Sequence, residues 1–282
     1  MNASEIRNSQ FEIRNSSAPI GIFDSGVGGL TVFRAIERRL PNESLVYLGD
    51  TARIPYGVRS ASTIERYALE CATFIQSRGV KAIVIACNTA SALAANYLRS
   101  KCSVPVIGVI RPGARRAIES TRNGRIGVIA TEATVASGAY QRAMLALREN
   151  LEIVSRACPL FVPLAEEGWV NHPVTRDVAE EYLGELRSSR VDTLVLGCTH
   201  YPILRPVIEQ TMGDSVSYVD SGEAVETLAR MLEEEGLTCT SGQQPTEEFY
   251  VTDSAERFRR VAEMFLGRPP ESVETVELGI AR

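Results

Sequence analysis

No apolar run in the sequence reaches the roughly 20 residues that a bilayer-spanning helix needs, and the opening stretch MNASEIRNSQFEIRNSSAP lacks the apolar centre of a secretory signal. No membrane association is therefore expected, and the expected location is cytoplasmic. Basic runs are missing as well: 30 lysines and arginines against 35 aspartates and glutamates leave a net charge of -5, with the positive residues scattered, so no nucleic-acid partner is indicated. The six cysteines (71, 87, 102, 158, 198 and 239) form neither a CxxC pair nor a zinc-spaced His/Cys cluster, which reads as reduced thiols with no disulfide and no metal. GxGxxG is not met by Asp24-Ser25-Gly26-Val27-Gly28-Gly29, whose leading acid would repel a pyrophosphate, and GxxxxGK[ST] is absent, so neither dinucleotide nor ATP has a visible site.

What is present is a rhythm. Short β-branched apolar runs alternate with longer amphipathic stretches, the pattern of parallel strands joined by helices. The clearest strands are IGIF (20–23), LVYLG (45–49), AIVIA (82–86), PVIGV (105–109), RIGVIA (125–130) and TLVLG (193–197), with helices expected over 63–77 and 178–187. Ligands of open α/β sheets bind at the C-terminal strand edge, where loops and helix N-termini bring free N–H groups together. Three polar motifs fall there: DSGVGG after the first strand, DTARIPYG after the second, and Cys87-Asn88-Thr89 after the third.

An internal repeat sharpens the reading. GVKAIVIACNTASAL (79–93) aligns with RVDTLVLGCTHYPIL (190–204), and IGIFDSG (20–26) with IGVIATE (126–132). The expected fold class is α/β, with two pseudo-symmetric three-layer domains built on mostly parallel sheets and the active site in the cleft between them. The expected division is a disordered leader at 1–18, a first domain of 19–110 with 219–282 returning to it, and a second of 111–218.

A free cysteine is most often a small buried hydrophobe, and that reading is kept for Cys71, Cys102, Cys158 and Cys239. Cys87 and Cys198 differ, because each ends a strand just before an expected helix, whose N–H groups lower a thiol's pKa toward neutrality. Two thiols facing each other across a small substrate suit removal of a proton from one face of a carbon and its return to the other, which inverts a stereocentre. His200 stands within reach of Cys198, and Asp24 is placed to orient or deprotonate Cys87. Pyridoxal phosphate would need a Schiff-base lysine, yet Lys81 and Lys101 both precede strands at the other edge, so no cofactor is expected.

Together FDSGVGGLTV, YLGDTARIPYG, ACNTASA, CPLFVPLAEEG and GCTHYPIL, within 19–228, resemble the glutamate racemases of the aspartate/glutamate racemase superfamily. The resemblance implies cofactor-independent interconversion of L- and D-glutamate, with D-glutamate supplied to peptidoglycan. It implies that Cys87 handles the α-proton of the D enantiomer and Cys198 that of the L enantiomer, with Asp24 and His200 as supporting acid/base groups and Glu166 and Asp50 as acids of lesser weight. Substrate would be held by Asp24, Ser25, Tyr56, Gly57, Asn88, Thr89, Thr199 and His200. The expected partner is the amino acid alone, and a homodimer is left open. Arg111, before Pro112-Gly113, departs from the family pattern at a position that could serve a domain contact. Aspartate as substrate, or an amino-acid binder without catalysis, are the competing readings; the paired thiols argue against the second.

Overall fold

The computed structural model of this chain describes residues 15–279. Among the described residues ten strands run in chain order: β1 Ile20–Asp24, β2 Leu45–Gly49, β3 Ala82–Ile85, β4 Val106–Gly108, β5 Arg125–Ala130, β6 Glu152–Ala157, β7 Thr193–Gly197, β8 Ser217–Val219, β9 Glu247–Val251 and β10 Glu274–Thr275. Every residue of β1, β2, β3 and β7 is buried, which is why these segments read as unbroken apolar runs: a strand covered on both faces has no polar side to show. Successive side chains of one strand feed different cores. Ala82 and Val84 pack with the helices Leu30–Arg39 and Ala255–Leu266, whereas Ile83 and Ile85 pack with Ala61–Ser77 and Asn88–Arg99.

The strands form two sheets, ordered β10-β9-β2-β1-β3-β4 and β6-β5-β7-β8, and all their pairings are parallel. The orders β2-β1-β3-β4 and β6-β5-β7-β8 are the same path walked twice, so the repeat in the sequence is a repeat of topology. β3 and β7 are equivalent strands, and the two cysteines of interest follow them. The end of the chain joins the first sheet through β9, which pairs with β2.

Helix starts differ from the expected ones, because caps and not apolar spacing set them. Ser60 accepts the Thr63 N–H and starts a helix at Ala61. Pro173, at a first-turn position that needs no N–H, begins the helix Pro173–Ser188, five residues ahead of the apolar pattern, with His172 Nδ1 accepting from Val174. Residues 1–14 of the expected leader lie outside the described residues. Residues 15–18 correct its boundary: Ala18 is buried, and the Ser16 carbonyl accepts from Lys81 Nζ at 2.5 Å. The buried Lys81 ammonium pairs with Glu43 and also takes the Leu237 carbonyl, so it draws three distant segments together. Among the described residues no helix is long and apolar enough to cross a membrane.

Candidate active site

β1 ends in Asp24, whose Oδ2 accepts the Gly26 N–H at 2.9 Å and folds DSGVGG back across the sheet edge. The tight loop brings Gly28 against the other half of the molecule. A Cβ there would lie 2.3 Å from Thr199 Oγ1 and 2.5 Å from His200 Nδ1, so only glycine allows the approach. Thr31, the second residue of the helix Leu30–Arg39, donates to the Thr199 carbonyl at 3.2 Å and ties the two halves at this point.

Cys87 caps the helix Asn88–Arg99, its Sγ accepting the Ala90 N–H at 3.5 Å, and its thiol donates to Ser25 Oγ at 3.6 Å. Cys198 follows β7 with its Sγ 3.8 Å from His200 Nδ1, and His200 Nε2 meets Glu166 Oε1 at 3.1 Å. Each cysteine is 6% exposed, and both border one cavity of about 200 Å³. The volume lies below the roughly 300–1,000 Å³ of drug-sized pockets and suits a small amino acid. A cavity of about 470 Å³ opens elsewhere, with Arg111 on its rim, but neither cysteine borders it, so size does not identify the site.

The expected residues Ser25, Tyr56, Gly57, Asn88, Thr89, Glu166, Thr199 and His200 all border the smaller cavity. Asp24 is buried just beneath it, with Oδ1 unpartnered. Asp50 is elsewhere: fully buried, it accepts from the Tyr56 hydroxyl, from Arg53 and from Thr252 Oγ1, and so braces the loop that carries Tyr56 and Gly57. Gly26, Ile54, Pro55, Thr131 and the Val162-Pro163 pair complete the lining, and the sequence alone assigns them no role. Thr131 does stand at the same strand edge, after β5, and its Oγ1 lies 2.9 Å from Thr89 Oγ1 across the cleft.

Three expectations require correction. The helix N-terminus does not lower the Cys87 thiol. Burial pushes it up, the Asp24 charge adds to this, and the hydrogen bonds it shares with Ala90 and Ser25 only moderate a value raised to about 12. Cys198 does not cap an α-helix directly: a single 3-10 turn, Tyr201–Leu204, separates it from the helix Arg205–Met212. The Asn88 side chain is not free to hold a carboxylate, because its amide donates to Ser221 Oγ and its oxygen accepts from Tyr140, both at 2.7 Å. What Asn88 and Thr89 offer the cleft are the backbone N–H groups of a helix's first turn, which have no intrahelical acceptor.

The charged groups are unequally placed. Burial alone would lower His200, but its hydrogen bonds to Cys198 and Glu166 and the charges of Cys198 and Asp24 prevail and raise it to about 10. Glu166 is held below the ordinary range by its hydrogen bond to His200, against its own partial burial, with help from the charges of His200 and Arg257. Burial raises Asp24, opposed by the His200 charge and by N–H groups of its own loop. The Cys198 wall is thus a thiol beside an imidazolium, and the Cys87 wall a protonated thiol beside a buried carboxyl.

Known proteins share this fold and much of this sequence. The family model described as Asp/Glu/Hydantoin racemase matches residues 20–229. A glutamate racemase of Geobacter metallireducens is 50% identical over 260 residues, 92% of this chain and 96% of that protein. Among solved structures, a glutamate racemase isoform of Bacillus anthracis superposes with a TM-score of 0.90 at 39% identity, covering 94% of this chain and 99% of that one. The glutamate racemase of Francisella tularensis, solved in complex with D-glutamate, does so with a TM-score of 0.87 at 41% identity, covering 93% and 98%. With two thiols at equivalent strand ends bordering one small cavity, and a family model spanning both sheets, this chain belongs to the Asp/Glu/Hydantoin racemase family.

Proposed function

We propose that this protein interconverts L- and D-glutamate by a two-base mechanism, with Cys198 and Cys87 as the bases and D-glutamate destined for peptidoglycan in the cytoplasm. The observation that carries the reading is the pair of cysteines, each following the equivalent strand of its own sheet, on a shared cavity of about 200 Å³. For the L enantiomer, the Cys198 thiolate removes the α-proton: the Cα–H bond breaks, an S–H bond forms, and the Cys87 thiol delivers its own proton to the opposite face. For the D enantiomer the two exchange roles. Cys87, raised to about 12 by burial and the Asp24 charge, holds the proton that the L-to-D direction needs. On the other wall, His200, itself raised to about 10, stands with Nδ1 3.8 Å from Cys198 Sγ and so sets an imidazolium beside the thiol assigned to the L enantiomer.

Substrate binding follows from the same groups. The N–H groups of Asn88 and Thr89 and the hydroxyls of Ser25 and Thr199 suit a carboxylate, and the unpartnered Asp24 Oδ1 suits an ammonium. Tyr56 and Gly57 close the far side. No cofactor enters the proposal, since a Schiff base would need a lysine at the cleft and Lys81 is taken up by Glu43 at the opposite end of β3.

The test is racemisation in D2O of L-glutamate, D-glutamate and both aspartates by the purified protein. Deuterium should enter the α-position of the glutamates as they invert, and preference for aspartate would overturn the substrate assignment. Cys87→Ser and Cys198→Ser should each abolish racemisation, while one-way proton removal from a substrate with a good β-leaving group survives in each with opposite enantiomer preference. Full racemisation by either variant would overturn the two-base scheme.

A further inference from the structure

We propose that Arg257, on the helix Ala255–Leu266, is a positioning residue for the Cys198 wall, holding the Glu166 carboxylate against His200 from the opposite half of the molecule. The proposal rests on the functional reading above. Glu166 bridges two partners with its two oxygens: Oε1 meets His200 Nε2 at 3.1 Å, and Oε2 meets an Arg257 guanidinium nitrogen at 3.5 Å. A carboxylate's terminal torsion is broad, so one hydrogen bond alone leaves it free to rotate away from the imidazole. The second contact fixes its plane.

The same helix touches His200 directly. The Phe265 ring stands edge-on to the imidazole, with centroids 5.2 Å apart and an interplanar angle of 77°. One helix therefore packs against the His200 ring and also restrains the carboxylate that holds it. That helix follows β9 and belongs to the first sheet, whereas Glu166 ends the short helix Phe161–Glu166 after β6 of the second. The alignment of His200 with Cys198 is in this way tied to how closely the two halves approach, and nothing in the cysteine motifs encodes that dependence.

A side chamber of about 240 Å³ adjoins the cleft and shares Gly26, Ile54 and Glu166 with it, with Arg257 and Phe258 on its far wall. The charged groups around Glu166 are His200 and Arg257, Asp253 on the side chamber, and Glu167 and Arg260 on the outer hollow; Asp24 acts on His200 from beneath the cleft. Loss of Arg257 leaves Glu166 with the His200 imidazolium, two acids and one remaining arginine. Its proton then binds at higher pH, and the acid limb of the pH–rate profile moves upward.

The test compares Arg257→Gln, Arg257→Lys, Glu166→Gln and the double variant Arg257→Gln/Glu166→Gln. An exposed ion pair is worth little, so Arg257→Gln should lower kcat/KM about three- to fivefold at neutral pH, and Arg257→Lys should restore most of it. The acid limb should move upward in Arg257→Gln, and so should the Glu166 protonation step seen in the His200 ring resonances by NMR. In the Glu166→Gln background, Arg257→Gln should change nothing further. An undiminished Arg257→Gln effect in that background, or an Arg257→Gln variant with unchanged kcat/KM and an unmoved NMR step, overturns the proposal. If the wild-type protein does not racemise glutamate, the functional reading fails, and the NMR step still decides whether Arg257 holds Glu166.

Discussion

Gly28→Ala tests the closest approach between the two walls. The backbone at Gly28 needs no left-handed conformation, so the substitution reports on space and not on strain. The added Cβ would lie 2.3 Å from Thr199 Oγ1, 2.5 Å from His200 Nδ1 and 2.6 Å from His200 Cε1, where ordinary contact begins at 3.4 Å. The Thr199-His200 segment must therefore retreat by about 1 Å, and it carries both the imidazole partner of Cys198 and the hydroxyl that the proposed mechanism gives to a substrate carboxylate. A misplacement of about 1 Å costs on the order of 100-fold in rate, or about 2.7 kcal/mol of transition-state stabilisation. Overpacking should also destabilise the fold by about 1–3 kcal/mol. The assay is polarimetric racemisation of glutamate in both directions, with thermal unfolding alongside. Because the enantiomers are equal in free energy, kcat/KM must fall by the same factor in each direction. Gly184→Ala is the control, a helical glycine whose added Cβ would meet nothing within 4 Å; it should keep full activity and gain up to about 1 kcal/mol. A Gly28→Ala protein with wild-type kcat/KM would refute the argument that Gly28 sets the spacing of the walls.

Other expectations follow from the same packing. Lys81→Met leaves Glu43 buried without its cation, which should cost about 3–5 kcal/mol in urea unfolding while turnover per folded molecule is unchanged; lost turnover in fully folded protein would contradict placing Lys81 outside the site. Tyr140→Phe removes the donor to Asn88 Oδ1 and should cost about 1–3 kcal/mol, seen as a Tm lowered by roughly 2–4 °C per kcal/mol. No change in Tm would mean that the buried amide finds another partner. His200, raised from 6.5 to about 10, contributes stability that is fully present below pH 6.5 and lost as pH rises toward 10. The wild-type protein should therefore lose stability over that window relative to His200→Asn, and the opposite slope would reverse the sign of the inferred shift.

Much of this was legible in the residues because the signals are local. β5 and β7 begin and end where the sequence runs RIGVIA and TLVLG do, since a strand covered on both faces is apolar along all but its first residue here. The repeat around Cys87 and Cys198 announced two equivalent strands before any pairing was known. The start of the helix at Pro173 was missed because apolar spacing begins only where a helix meets its core, whereas a cap acts on backbone groups a turn earlier.

The sequence by itself determined the α/β class, the doubling of the unit, and the delivery of two thiols to the strand ends that carry ligands. Tertiary structure alone decided what surrounds those thiols. The helix start that local reasoning expected to activate Cys87 is outweighed by burial and by Asp24, which stands at the end of a different strand. Asn88 has its amide held by Tyr140 and Ser221, 52 and 133 residues away, and so offers its backbone instead. The partner of Glu166 arrives on a helix 91 residues later. Periodicity and capping act over a few residues and can be read along the chain. Desolvation and charge depend on which distant segments pack together, and only the folded molecule sets them.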